Sequence, residues 1–177
     1  SRIMKRVGGG FDYSFNAQTA VDETAHIIVA AEVVNTSSDV QQLPMVLSAV
    51  KANTGAAPAK VLADAGYRSE AVMAHLAAAQ PDTELVIALG REGKVLAKPR
   101  DEARYPHTTA MAAKFETEPC KVDYRKRKWI AEPPNGWIKS VLGFRQFSMR
   151  GLKKANAEFK LVCMALNLRR MGAMQMA

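Results

Sequence analysis

Cysteine is scarce in this chain: Cys120 and Cys163 are the only two in 177 residues. Two lone thiols build neither a disulfide framework nor a zinc set, so a reducing compartment is the default expectation. Long apolar runs are missing as well. Stretches such as His26–Ala31 are strand-length and fall far short of the roughly 18 apolar residues of a membrane helix, so no membrane partner is expected. No apolar segment follows the basic residues Arg2, Lys5 and Arg6, which speaks against a secretory signal at this end. The chain opens with Ser1 rather than Met and reads as a piece of something longer. Acidic residues are rare in the last third: residues 121–177 hold 13 Lys/Arg against 3 Asp/Glu, a net of +10. The first 120 residues hold 12 Lys/Arg and 14 Asp/Glu, a net of −2. A near-neutral body with a basic tail reads either as a polyanion-binding face or as a solvated basic helix.

What is present is one domain's worth of chain, 48% apolar and 24% charged, as in ordinary globular proteins. Residues 1–10 are basic, end in three glycines and suggest a flexible turn rather than an element. Phe15–Val21 and His26–Val34 predict a β-hairpin across Asp22–Ala25, its second strand apolar on both faces. Asp39, with Gln42 three residues on, has the spacing of a capping box. Leu43, Val46, Leu47 and Val50 then form a helical stripe that stops near Gly55. Lys60–Ala63 predicts a short buried strand broken at Asp64, Ser69 caps a second helix carrying Val72, Met73, Leu76 and Ala79, and Leu85–Leu89 is another strand. Alternating strands and helices after a hairpin imply an α/β sheet with helices on its faces. Residues 91–123 lose periodicity and read as a surface excursion, with a short helix at Thr108–Phe115. Lys121–Ile130 carries a dense basic run. Glu132-Pro133-Pro134 predicts a helix start, with proline in the first turn and an end at Gly143. The last helix, Leu152–Met171, sets Leu152, Ala155, Phe159, Val162, Cys163 and Leu166 on one face and Lys153, Lys154, Lys160, Arg169 and Arg170 on the other.

Two carboxylates stand out. Asp64 follows a buried strand in a turn made tight by Gly66, at the carboxyl end of the sheet where open α/β folds hold their ligands; an ordinary turn aspartate is the plain alternative. Glu132 lies at the expected helix start with Lys139 seven residues on, within about 20° of the same face. A glutamate that complements the helix dipole, beside a surface lysine, is the alternative there.

The chain resembles the bacterial insertion-sequence transposases of the DDE type. The resemblance is carried by Asn16-Ala17-Gln18-Thr19-Ala20-Val21-Asp22, His26–Ala30, Val61-Leu62-Ala63-Asp64-Ala65-Gly66-Tyr67, Glu132-Pro133 with Lys139, Gly143-Phe144-Arg145-Gln146-Phe147, Arg150-Gly151-Leu152 and Leu161–Leu168. These motifs run in order over nearly the whole chain. The resemblance implies an RNase H-like mixed sheet with flanking helices, lacking its first strand, so that 1–177 is a partial catalytic domain. Residues 1–90 would then supply sheet and helices, 91–123 a surface insertion and 124–177 a basic helical part. It further implies that Asp64 and Glu132 are the second and third acids of a metal-holding triad. Lys139 would contact the transposon end, and Tyr124 and Arg127 match the aromatic and basic positions before the glutamate. The first acid would lie ahead of Ser1, since Asp12 and Asp22 fall on or after a different strand; the chain by itself is therefore expected to be catalytically weak or dead.

The implied chemistry is DNA transposition: strand cleavage and strand transfer at insertion-sequence ends with two Mg²⁺ or Mn²⁺ ions. Two hard cations about 3.5–4 Å apart activate the nucleophile and stabilise the leaving oxygen of a phosphodiester. The implied partners are double-stranded DNA, both transposon ends and target, and a second copy of the chain in synapsis. The implied location is the bacterial cytoplasm, at the nucleoid. Arg125, Lys126, Arg127, Lys128, Lys139, Arg145 and Arg150 are the expected phosphate contacts. Trp129 is expected to pack in the core, whereas Trp137 stays open between packing and stacking on an unpaired base. His26, His75 and His107 lack metal-ligand spacing. Residues 91–123 carry only Cys120, so the longer cysteine-containing segment of many relatives has no zinc-binding counterpart. Pro134-Asn135 replaces the usual hydrophobic pair after Glu-Pro. A non-catalytic DNA-binding remnant of a mobile element and an RNase H-fold nuclease are the alternatives.

Overall fold

The computed structural model describes residues 1–5, 9–90 and 101–175. Its strands are β1 (Arg2–Lys5), β2 (Phe11–Ser14), β3 (Asn16–Val21), β4 (Ile28–Val34), β5 (Lys60–Ala63) and β6 (Glu84–Ile87). Its helices are α1 (Leu43–Thr54), α2 (Glu70–Ala79), α3 (Pro106–Glu116), α4 (Glu118–Ser140) and α5 (Leu152–Gln175). β1 pairs with β2 and β3 with β4, both antiparallel, whereas β5 and β6 run parallel. The chain is thus mixed α/β, in agreement with the RNase H-like class. Residues 1–37 with 128–177 form one structural unit and residues 38–127 another.

In the first unit, β4 is buried along most of its length and pairs in register with β3 from Asn16↔Val34 to Ala20↔Ala30, with a bulge before Val21. The hairpin connection is longer than expected, because β4 begins at Ile28 and Asp22 accepts from the backbone N–H of Ala25. α5 lies along β4. Asn167 accepts from the N–H of Ile28 and donates to its carbonyl, and Asn156 accepts from the N–H of Val33 and donates to Glu32. The spacing has a simple origin. Eleven helical residues rise about 16.5 Å over three turns, and the five strand residues from Ile28 to Val33 span about 17 Å. Two asparagines on one face of the helix therefore meet two strand amides. Lys160 adds an ion pair to Glu32 at 2.6 Å.

The core of this unit gathers Ile28, Ala31, Val33, Ile138, Ala155, Phe159, Cys163 and Leu166. Phe144 and Phe147 pack edge-to-face at 5.3 Å, and Phe147 meets Phe15 at 5.6 Å. The 143–147 motif thus supplies two core rings and leaves Arg145 between them exposed. Leu152, expected on the buried face, is 43% exposed at the first turn of α5. The basic opening segment is a strand rather than a turn, since β1 pairs with β2 from Arg2↔Ser14 to Lys5↔Phe11. Its exposed Ile3, Phe11 and Tyr13 give no burial signal that a sequence pattern would register.

In the second unit, α1 buries the expected Leu43, Val46, Leu47 and Val50. α2 begins at the expected cap, Ser69 accepting from the N–H of Val72, and buries Val72, Met73 and Leu76 but leaves Ala79 exposed. Most of these side chains join Val86, Ile87, Ala88 and Leu89 in one core. The segment expected as a surface excursion divides. Residues 91–100 lie outside the described residues, while Met111, Phe115 and Cys120 of α3 and α4 are buried in this core. The short helix expected at Thr108–Phe115 is α3, which begins two residues earlier and ends one later. α3 has no cap of its own at Tyr105; instead the Glu70 carboxylate accepts from the N–H groups of His107 and Thr108 at 2.7 and 2.8 Å and from the Thr108 hydroxyl.

α4 also differs from expectation. It is one 23-residue helix with Pro133 and Pro134 inside it, not a helix beginning at Glu132. Each proline removes an intrahelical donor. The side-chain amide of Asn135 donates to the carbonyl of Ala131 one turn back at 3.0 Å. The helix stops where expected: Gly143 adopts a φ of 67°, and the N–H of Phe144 returns to the carbonyl of Ile138.

Candidate active site

β5 delivers Asp64 to the end of the parallel β5–β6 pair. The residue caps a single 3₁₀ turn, Ala65–Tyr67: its Oδ1 accepts from the N–H of Gly66 at 2.9 Å and its carbonyl from the N–H of Tyr67 at 3.2 Å. Arg68 closes the turn by donating to the carbonyl of Leu89 beyond β6. One oxygen of Asp64 therefore performs the ordinary turn role. The other, Oδ2, stands 3.9 Å from Arg127 Nη1, and the side chain is 46% exposed. A half-exposed carboxylate whose backbone is pinned on both sides is a suitable oxygen donor for a hard cation, which keeps part of its water shell.

Gly66 is constrained by this arrangement. A Cβ there would come within 2.9 Å of Asp64 Oδ1 and 3.2 Å of Asp39 Oδ2. Asp39 was expected to cap α1, but the cap is Gln42, which makes no side-chain cap bond. Asp39 instead opens a turn, its carbonyl accepting from the N–H of Gln42 at 2.9 Å, and its carboxylate comes over the Gly66 backbone beside Asp64. Tyr67 lies close by. Burial pushes its phenol well above the usual range, and the charges of Asp39 and Asp64 push the same way, against Arg127.

Arg127 leans inward. Its guanidinium approaches Asp64 and the ring of Tyr124 at 5.8 Å, and its buried Nε has no hydrogen-bond partner among the described residues. Tyr124 packs edge-to-face on Phe115 at 5.2 Å, which anchors this stretch of α4 to the core. Lys126 pairs with Asp123 at 3.2 Å, and Asp123 also holds Lys60. Arg125 is exposed.

Glu132 and Lys139 belong to the other unit, on the later part of α4. Both are exposed, and no partner holds Glu132 among the described residues. Seven residues apart on one continuous helix, they share a face about 10 Å apart along its axis. Lys128, Arg145 and Arg150 are exposed in the same unit. Trp129 is 69% exposed rather than packed in the core, because the helical register that buries Ile138 turns it outward. Trp137 is 41% exposed and lies under the Arg169 guanidinium at 5.0 Å.

Asp12 accepts from the N–H of Tyr13, and Asp22 serves its turn. The described residues hold no group of three or more His, Cys, Asp and Glu that would cage a metal ion, and no helix among them is long and apolar enough to cross a membrane. What they hold is the carboxylate pair of residues 39 and 64, hard oxygen donors that fit a divalent ion retaining waters. Sequence reasoning read Asp39 as a helix cap because a loop aspartate three residues before a glutamine is a standard capping signal. Residues 4–168 match the family model described as a transposase DDE domain. No curated protein and no solved structure matches the chain.

Proposed function

We infer the chemistry of this chain from the fact that it belongs to the transposase DDE domain family, a family of DNA transposition. Members of that family act on DNA and generally use divalent metal ions. The reading we propose is metal-dependent DNA strand cleavage and strand transfer at the ends of an insertion sequence, carried out in the bacterial cytoplasm on nucleoid DNA.

In this reading Asp64 is one metal-holding carboxylate and Glu132 another. When bound, Mg²⁺ or Mn²⁺ ions would supply Lewis acidity at the phosphate and activate the attacking oxygen. The protein's part is positional. The Ala65–Tyr67 turn fixes Asp64, the long α4 presents Glu132, and Lys139 on the same helix face takes a phosphate of the transposon end. Arg125, Lys126, Lys128, Arg145 and Arg150 contact further phosphates, and two copies of the chain bring the ends together. Arg127 serves Asp64: its guanidinium balances the carboxylate while the ion is absent.

The observation that carries the reading is the state of Asp64, half-exposed at the end of β5, with Oδ1 engaged by the turn and Oδ2 3.9 Å from Arg127 Nη1. The test is nicking of supercoiled DNA in Mn²⁺ by this chain, whose own rate is expected to be low. Asp64→Asn is expected to lower the rate on the order of 10²-fold, the scale of losing a stabilising charge at a reacting phosphate. Unchanged nicking by that variant overturns the assignment. Lys139→Ala should weaken binding to the transposon end and reduce the slope of log affinity against log salt by about 1. An unchanged slope would remove Lys139 from the interface.

A further inference from the structure

We propose that Glu158 is a positioning residue for DNA binding: it holds the loop between α4 and α5 in the shape that presents Arg145 and Arg150 to the phosphate backbone. This rests on the reading of those two arginines as phosphate contacts and adds the residue that sets their place.

Between Gly143 and Gly151, at φ of 67° and 90°, the chain enters neither helix nor strand, so its backbone donors need other partners. Two anchors hold it. Phe144 and Phe147 pack their rings against Phe159 of α5. Glu158, the residue before Phe159, takes the backbone itself. Its carboxylate accepts from the N–H of Ser148 at 2.9 Å, from the Ser148 hydroxyl at 2.6 Å and from the N–H of Met149 at 3.1 Å. These donors lie nine and ten positions back, outside α5, so the glutamate does not serve its own helix. The Ser148 hydroxyl and amide, with the amide of Met149, hold the carboxyl below its ordinary 4.5 and keep it ionised at neutral pH. The stretch that it fixes stands immediately ahead of Arg150. Arg145 and Arg150 are exposed, and neither pairs with a carboxylate among the described residues. Lys154, one turn before Glu158 and at ion-pair spacing, is exposed too, while the carboxylate goes to the loop. A negative charge beside a phosphate track opposes DNA. Its presence is offset if it removes the ordering cost that a loose arginine-bearing loop meets on binding.

The decisive measurement is the affinity of the full 177-residue chain for a random-sequence DNA duplex over a range of salt, with Tm alongside. Charge alone predicts that Glu158→Gln binds DNA more tightly, because a repelling carboxylate is gone. Positioning predicts the opposite sign: weaker binding, and a slope of log affinity against log salt shallower by about 2, one for each displaced arginine. Ser148→Ala removes one loop donor without changing charge. It should shift affinity and slope in the same direction by less, and it carries the test if Glu158→Gln fails to fold. Arg145→Ala combined with Arg150→Ala should reproduce the slope change, and adding Glu158→Gln to that pair should no longer weaken binding. A merely structural glutamate would lower Tm and leave the affinity and slope of the folded protein unchanged. Wild-type or tighter binding in Glu158→Gln and wild-type binding in Ser148→Ala, with a shallower slope in the arginine variant, overturns the role of Glu158 and leaves the arginines as contacts. A wild-type slope in the arginine variant overturns the reading of the arginines, and the role of Glu158 with it.

Discussion

The two units of the molecule hold their polar groups in opposite ways. Around β4, side chains complete the secondary structure: Asn156 and Asn167 of α5 satisfy strand amides, and Lys160 neutralises Glu32. At the end of β5, side chains exceed what secondary structure needs. Asp64 gives one oxygen to its turn and the other to the approach of Arg127, and Asp39 is brought beside it although α1 is capped elsewhere. Polar groups consumed by the backbone stabilise, whereas polar groups brought together beyond that need mark chemistry. Glu132 extends the contrast. It sits in the amide-stapled unit, yet nothing among the described residues engages it.

The contrast can be broken most forcefully at Phe159, buried between the rings of Phe144 and Phe147. Phe159→Ala should cost about 3–5 kcal/mol in urea unfolding. A loss below 1 kcal/mol would mean that this aromatic cluster does not hold the unit. Asn167→Ala comes next, at about 1–3 kcal/mol, because it strands the N–H and carbonyl of Ile28 together. Hydrogen exchange at the Ile28 amide checks it directly, and unchanged protection would refute the staple.

Gly66→Ala tests the other side. The Cβ meets Asp64 Oδ1, which accepts from the Gly66 N–H, and Asp39 Oδ2, so the carboxylates must rotate and the turn bond is lost, costing about 1 kcal/mol. Mn²⁺ affinity and nicking should fall as well. A variant that loses stability but keeps the metal would reverse the comparison.

The smallest effect is expected in acid. Burial raises the Glu70 carboxyl, but the hydrogen bonds from the Thr108 hydroxyl and the His107 and Thr108 amides outweigh it and hold it below its ordinary 4.5. Its contribution is present above that value and is lost as pH falls through the lower folded-state value. Protection of the α3 amides should therefore decline only below pH 4.5, and Glu70→Gln should flatten that decline. A protection profile unaltered by the substitution would show that Glu70 does not cap α3.

Much of this was legible from residue order. The stripe of Leu43, Val46, Leu47 and Val50, the Ser69 cap, the β3–β4 hairpin and the stop at Gly143 are local signals, set by period and by turn chemistry within a few residues. Asp64 was legible for the same reason, as a strand-end acid before a glycine. The body of α3 was legible too, but its start was not, because its cap is borrowed from Glu70, 36 positions ahead of Pro106. The prolines of α4 suggested a start because a proline at a first turn costs nothing locally. Here they are carried within a helix extended on either side, by Tyr124 anchored on Phe115 and by buried Ile138.

The amino-acid order by itself determined most of the strands and helices between Asn16 and Ile87, where the basic charge accumulates, and that an aspartate terminates β5. Only the tertiary structure decided that Asp39 comes beside Asp64 over Gly66 rather than capping α1, that Arg127 turns inward, and that Trp129 faces outward. The reason is physical: propensity and period act over a few neighbouring residues, whereas the approach of two carboxylates 25 positions apart depends on how α1 and β5 pack into a common core.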